Sequence, residues 1–541
     1  MNVSKYMIVF FIGLTIAGIT GINSIPDITV ESLEATTTDG VTISYNLYHP
    51  EVTSKTPVII LGHGIMVTKE MMTNFAMEMA NQGYIVASLD WRGHGRSTGE
   101  LSGDGLYRDL EAVISDIPVH APSADMENIA LLGYSMGGSP TFHYAQDHDT
   151  VKAWIGVGTA PSGISTEKTP RNVLVVIARH DEAFSLERVK NEMSLLTGSD
   201  VEFEKLYGSI ADGTARKIHV VSWADHLTTP WNSDFVSAAT AWVTETFDEI
   251  PPQGTVMVFH QRLLFLVMGI TGFVGLLFIV SYYLAQKMGI SQEKFSFVPE
   301  KLSIKSFIAK YYVVTLSLFF SMALYLPLFL LPLSFAAFLA MVTGGLGINI
   351  LVYCRILTGK QNFGSVLRKN FYQPAKIWLF SIIVTIIFMV CYYFLIGLNY
   401  LGFVPSVMRI PYLILYSGLL FCSFWIYSFF IQKGSKPFLE KKLKIENSKG
   451  RFVLISFINF VLIFSWFACI ILVPCIIIRN FFFAMVLILM VPIFIFMSFF
   501  SVLMEDLTGS VIPSAVLHGV WFGLVITTLT PYISSLTDMG L

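Results

Sequence analysis

The chain has 541 residues, 54% hydrophobic and only 13% charged, with a formal net charge of −3 and a mean hydropathy of +0.63. A soluble protein carries about a quarter charged residues, so this composition excludes an ordinary soluble molecule. The charge is also unevenly placed. Residues 23–254 hold 31 of the 38 acidic and 14 of the 35 basic residues, a net of −17, while the remainder nets +14. An acidic globular segment joined to a basic apolar one is a poor nucleic-acid binder, and no nucleic-acid partner is expected. The five cysteines (Cys354, Cys391, Cys422, Cys469, Cys475) all lie in or beside apolar runs of the second half. The acidic segment therefore has no disulfide framework, metal-ligand spacing or cysteine nucleophile.

Residues 1–22 carry Lys5 and then an apolar run from Met7. This suits a signal peptide or an uncleaved signal anchor, with the anchor favoured, and either sends the next domain across a membrane. The domain 23–254 reads as alternating strands and helices. Strands are expected at 30–35, 41–48, 57–62, 84–89, 129–132, 151–157, 172–178 and 217–221, and helices at 71–82, 105–117, after the Gly133–Gly137 turn, and at 235–247. That alternation implies a largely parallel sheet covered on both faces.

Pro251-Pro252-Gln253-Gly254 marks a linker. Residues 255–541 then hold eight apolar stretches, roughly 263–284, 311–331, 333–354, 377–398, 410–431, 452–474, 481–503 and 511–529. Each meets the need of a spanning helix, about 20 residues. Alternate loops are rich in basic residues: Lys287, Lys294, Lys301, Lys305 and Lys310; then Arg355, Lys360, Arg368, Lys369 and Lys376; then Lys433 to Arg451. The loops between them carry only Arg262, Arg409 and Arg479. With the basic loops inside, the acidic domain lies outside, and an uncleaved anchor gives nine spans.

The chemistry centres on Gly133-Tyr134-Ser135-Met136-Gly137, an instance of G-x-S-x-G after an apolar strand. That pattern puts a serine on a strained strand-to-helix turn, with the Met136 N–H aimed where an oxyanion would form. A serine needs a base, and the base an orienting acid, in the chain order Ser, acid, His. Asp181 sits just past the strand ending at Ala178, and His226 just past the last strand. His63-Gly64-Ile65 occupies the loop after the third strand, where the Ile65 N–H is the second oxyanion donor and the His63 side chain a brace.

Five pieces carry a family resemblance: H-G-I at 63–65, G-Y-I-V-A-S-L-D-W-R-G-H-G-R-S at 83–97, G-Y-S-M-G-G at 133–138, R-H-D at 179–181 and A-D-H at 224–226. Residues of about 30–250 resemble the α/β-hydrolase superfamily, and within it the serine aminopeptidase S33 and monoacylglycerol lipase-like group. The resemblance implies an α/β-hydrolase sheet with a Ser135-Asp181-His226 triad and an oxyanion hole from Ile65 and Met136, followed here by an all-α transmembrane domain. It implies esterase, lipase, thioesterase or peptidase chemistry without choosing among them, and needs no metal or cofactor. Family members often carry a cap where this chain offers only the loop 158–171.

The function expected is a membrane-bound serine hydrolase of acyl esters, with lipid or lipid-linked esters among its substrates and the bilayer as a partner. The alternatives are an aminopeptidase or thioesterase on the same fold, or a transporter or scaffold whose hydrolase-fold domain only binds. Oligomeric state stays open. Gly509 to Trp521 faintly resembles the last motif of CAAX-processing-type intramembrane proteases, but that family's glutamate pair with arginine and its asparagine after the histidine are missing. Glu505 and Asp506 are therefore expected to snorkel at an interface, and His518 to pack between helices.

Overall fold

The computed structural model describes residues 5–24, 28–52, 54–165, 169–247, 258–290, 296–299, 301–359, 362–444, 447–479 and 481–533. The expected linker at 251–254, Lys294 and Lys360 lie outside these residues. The chain divides into two compact units: Leu14–Ile270 with Tyr393–Ile410 and Thr528–Leu541, and Met1–Gly13 with Thr271–Tyr392 and Pro411–Thr527.

The first of these holds an eight-stranded sheet: β1 Ile28–Thr36, β2 Thr42–Pro50, β3 Thr56–Gly62, β4 Ile85–Leu89, β5 Ala124–Tyr134, β6 Val151–Val157, β7 Val173–His180 and β8 Arg216–Asp225. Its order is β1-β2-β4-β3-β5-β6-β7-β8. The β1–β2 and β2–β4 pairs are antiparallel, and every later pair is parallel. The helices of this unit are α1 (Lys5–Asn23, of which Leu14 onward belongs here), α2 (Thr73–Asn81), α3 (Gly103–His120), α4 (Gly138–Asp147), α5 (Leu186–Thr197), α6 (Ser233–Thr246) and the first turns of α7 (Val258–Lys287).

The central strands are apolar without a break because both faces are covered. Successive residues of β3 show it. Val58 and Ile60 enter one core with Leu110, Val113 and Phe142 of α3 and α4. Ile59 and Leu61 enter the other with Phe75 and Met79 of α2 and Phe235 and Trp242 of α6. Each such side chain, wholly buried, contributes roughly 1.5–3 kcal/mol. Val258 and Phe259, at the start of α7, complete the second core.

The elements expected from the sequence are present with shifts of a few residues. The turn Lys69–Met72, expected partly as α-helix, is a 3₁₀ segment leading into α2. Helix α5, with a Ser185 cap on the Arg188 N–H, was not expected from the sequence. No helix occupies the described residues of 158–171. Two later pieces of chain, Tyr393–Ile410 and Thr528–Leu541, join this unit. The Gly402 N–H donates to Thr68 Oγ1 at 2.8 Å. Arg409 donates to the carbonyls of Gly93 and Thr530. Tyr532 exchanges backbone bonds with Gly93 and Leu101. Arg262 and Arg409, expected as loop charges, are instead buried at 1% and 0% exposure.

The second unit is helical: the rest of α7, then α8 (Ile304–Ser317) with a 3₁₀ segment Phe319–Leu330, α9 (Ser334–Thr358), α10 (Phe363–Phe371), α11 (Ala375–Tyr392), α12 (Ile410–Phe429), a π-turn Phe430–Ser435, α13 (Lys436–Leu443), α14 (Ser448–Ile478), α15 (Phe482–Thr508) and α16 (Ile512–Leu529). Among the described residues, eight helices, counting α1, are long and apolar enough to cross a membrane. The stretch expected as one span at 311–331 is a pair bent by 42°, and counting it as one span gives nine.

The expected snorkelling of Glu505 is not what is seen. Glu505 is buried and accepts from Lys436 Nζ at 2.5 Å and Lys433 Nζ at 3.3 Å. Lys433 reaches it because the π-turn turns that side chain inward, where it also donates to Gly509 O. Asp506, half exposed, accepts from Lys436. His518 lies between the rings of Phe424 and Phe500. Removing one partner of a buried pair leaves an uncompensated charge, worth about 3–5 kcal/mol. Glu505→Ala should therefore lower the thermal unfolding midpoint of the detergent-solubilised protein strongly. Asp506→Ala should cost about 1 kcal/mol or less, as exposed pairs do. Equal shifts would contradict this assignment.

Candidate active site

Four strands deliver the site, each from its C-terminal end. That is where an open parallel sheet binds ligands. Tyr134 ends β5, and Ser135 follows with φ of 51°, a left-handed conformation rare for a residue with a side chain. The strain follows from turning a strand into a helix within one residue: a 3₁₀ turn, Ser135–Gly137, runs straight into α4. Gly137 packs so closely on β3 that a Cβ there would lie 2.5 Å from Gly62 O and 2.7 Å from His63 O.

Asp181 follows β7 by one residue, and His226 follows β8 by one. The three side chains meet. His226 Nε2 lies 2.9 Å from Ser135 Oγ, and His226 Nδ1 lies 2.8 Å from Asp181 Oδ2. A carboxylate accepts only, so Nδ1 carries the proton and Nε2 is free to accept from the serine hydroxyl. The other Asp181 oxygen accepts the N–H groups of Ala183 at 2.9 Å and Phe184 at 2.8 Å, which fixes the carboxylate plane. The imidazole is held further. Tyr134 OH donates to the His226 carbonyl at 2.8 Å, and the Tyr134 and Phe184 rings stack on it. Asp181 and His226 are buried, while Ser135 is partly exposed.

The oxyanion candidates border the same point. Met136 is the residue after Ser135. Gly64 is so near that a Cβ on it would lie 3.1 Å from Ser135 Cβ, which brings the Gly64 backbone against the serine. His63 is wholly buried. Its Nδ1 donates to Gly64 O at 2.6 Å, its Nε2 accepts from the Trp91 N–H at 3.1 Å, and Trp91 Nε1 donates back to His63 O at 2.9 Å. It braces this loop. Beneath it, Asp90 accepts from Lys69 Nζ at 2.7 Å and from the N–H groups of Lys69 and Arg96. The buried Lys69–Asp90 pair was not singled out from the sequence. The signal available was Asp90 at a strand end, opening a glycine-rich turn. A cleft of about 740 Å³ opens beside Met136, between α3 and α4, lined by Tyr107, Arg108, Ser139 and His143 among others.

The strand order, with a serine on a left-handed turn after β5 and an acid and a histidine after β7 and β8, defines an α/β-hydrolase fold. Residues 53–195 match the family model described as serine aminopeptidase, S33. Curated relatives include a monoacylglycerol lipase of Mycolicibacterium smegmatis, 33% identical over 19% of this chain and 38% of the lipase. A bifunctional esterase/perhydrolase of Acinetobacter calcoaceticus is 27% identical over 25% of this chain and 48% of that protein. A non-heme chloroperoxidase of Streptomyces lividans is 24% identical over 33% and 63%. The matched segment thus spans less than two thirds of each relative. Among solved structures, the Pyrococcus furiosus esterase Pf2001 is 16% identical, covering 41% of this chain and 96% of that one with a TM-score of 0.33.

His63 supplies a pH test. Burial, the largest cause, pushes its pKa down from 6.5 to about 4. The unfolded chain therefore takes up the proton first. The stability contributed by neutral His63 is whole above pH 6.5 and is lost as pH falls through 4, about 3 kcal/mol in all. The thermal midpoint of the full chain should fall across that window, and His63→Gln should make the fall shallower. Parallel slopes for the two proteins would show that His63 is not the group responsible.

Proposed function

We propose that this protein is a membrane-embedded serine hydrolase that cleaves acyl esters through Ser135, His226 and Asp181. The observation that carries the reading is the continuous hydrogen-bonded line from Asp181 Oδ2 through both ring nitrogens of His226 to Ser135 Oγ. Ser135 Oγ attacks the acyl carbonyl while His226 Nε2 takes its proton, and Asp181 stabilises the imidazolium. The N–H groups of Met136 and Ile65 receive the oxyanion of the tetrahedral intermediate. Its collapse breaks the ester C–O bond, and His226 returns the proton to the leaving alcohol. Water, deprotonated by His226, then attacks the acyl-enzyme, releasing the acid and free Ser135.

The lipase and esterase names among the relatives support an ester substrate. The α1 and α7 helices within the hydrolase unit, both apolar, support substrates presented at a membrane surface, such as acyl lipids or lipid-linked esters. The orientation rests on charge. The alternate loops hold only Arg262, Arg409 and Arg479 against three basic-rich loops. That asymmetry supports an orientation with the basic loops in the cytoplasm and the hydrolase outside.

Ser135→Ala and His226→Ala should each lower kcat on a soluble aryl ester by about 10⁴ to 10⁶, since such groups act as a unit. Asp181→Asn should be severe too, because it favours the wrong imidazole tautomer. Most of the turnover surviving in Ser135→Ala would end the assignment. For orientation, a membrane-impermeant fluorophosphonate applied to intact cells should label Ser135. Labelling only after permeabilisation would reverse it.

A further inference from the structure

The loop that carries His226 is tied down from an unexpected direction. Three residues after the histidine, a 3₁₀ turn, Thr229–Trp231, begins, and Thr229 Oγ1 donates to Asp225 O at 3.1 Å. Asp225 Oδ1 accepts the N–H groups of Leu227 and Thr228 at 2.9 Å each, Tyr134 OH holds the His226 carbonyl, and from outside the loop Asn74 of α2 donates its Nδ2 to Pro230 O at 3.1 Å. The Asn74 side chain is itself oriented by its oxygen, which accepts from Arg262 Nε at 3.2 Å. Arg262 lies in α7. Its two remaining nitrogens donate to Ile22 O, at the end of α1, at 2.8 Å, and to Asn399 Oδ1 at 3.0 Å. The Tyr400 ring lies 6.0 Å from the guanidinium carbon. Arg262, Asn74 and Asn399 are 1%, 3% and 2% exposed.

Those hydrogen-bond acceptors are three neutral oxygens, one each from α1, α2 and the 393–410 segment. Holding a guanidinium out of water against neutral groups is costly, and a packed apolar side chain would be cheaper if packing were its only role. The planar fork does what an apolar residue or a lysine does not: it fixes three acceptors at set angles. One of them is the carboxamide that holds the His226 loop. An amide has a donor end and an acceptor end. With Arg262 on its oxygen, Asn74 must present its nitrogen to Pro230; without Arg262, either end faces that carbonyl, and one of the two repels it. The α7 first turn is fixed on the same helix by the Phe259 N–H, which donates to Glu78 Oε2 at 3.1 Å.

We propose that Arg262 is a positioning residue for the catalytic histidine, acting through Asn74 and Pro230, so that the base is correctly placed only when α1, α7 and the 393–410 segment are assembled around it. This rests on the serine-hydrolase reading above. The hydrolase fold is then not independent of the apolar helices attached to it. Their ends join Asp181, Tyr134 and Asp225 in setting the position of its base.

The test compares the full chain in nanodiscs with Arg262→Lys, Asn74→Ala, the double variant and Ser135→Ala, on a small water-soluble ester. Each single variant should lose about tenfold to a hundredfold in kcat, as small misplacements of a reacting group do, with KM within about twofold. Fluorophosphonate labelling should slow by the same factor. The double variant should be no slower than the worse single, because both changes break one path. Unchanged kcat in folded Arg262→Lys overturns the inference, and so do losses that multiply in the double variant. Where the lysine variant does not accumulate, Arg262→Gln is judged by the same criteria. Turnover persisting in Ser135→Ala would instead sink the hydrolase reading. A dead Ser135→Ala beside intact Arg262 variants would sink this inference alone.

Discussion

One backbone angle organises the hydrolase unit. Ser135 stands at φ of 51° because β5 must become α4 without a loop, and the turn closes only if Gly137 lies flat against the end of β3. The strain is of order 1–3 kcal/mol, offset by the buried sheet around it. In return the hydroxyl leaves the sheet edge at a fixed angle. His226 and Asp181, each one residue past a strand of the same sheet, β8 and β7, can then reach it without long loops. The loop that begins at His63 is set by the same packing, since the backbone pressing on Gly137 is that of Gly62 and His63.

Much of this was legible in the sequence because strand ends are marked by composition. The runs at 57–62, 129–132 and 173–178 are apolar without alternation, the pattern of strands buried on both faces. Each is followed by the residue that matters: His63, Ser135 or Asp181. Once the strands are placed, the site residues follow by counting. The helix Leu186–Thr197 was missed because its apolar positions are few, with only Val189 and Met193 buried.

What the sequence could not yield were the long-range polar ties. Arg262 and Arg409 read as loop charges between apolar stretches, yet both are buried, bonded to residues more than a hundred positions away. Glu505 read as an interfacial acid, yet it is bonded by Lys433 of the π-turn and by Lys436 at the start of α13. Local pattern says that such charges sit near helix ends. Only the fold says which way they face, because the choice depends on partners far along the chain. In each case the charge is satisfied inside the protein, as a low-dielectric setting requires.

The most direct test of the account is the site of covalent capture. Purified full-length protein is treated with a fluorophosphonate, digested, and the adduct located by mass spectrometry, beside the His226→Ala variant. The account predicts one adduct per chain, on Ser135, formed rapidly in the parent and lost in the variant. An adduct on another serine, or equal labelling of Ser135 without His226, would contradict it.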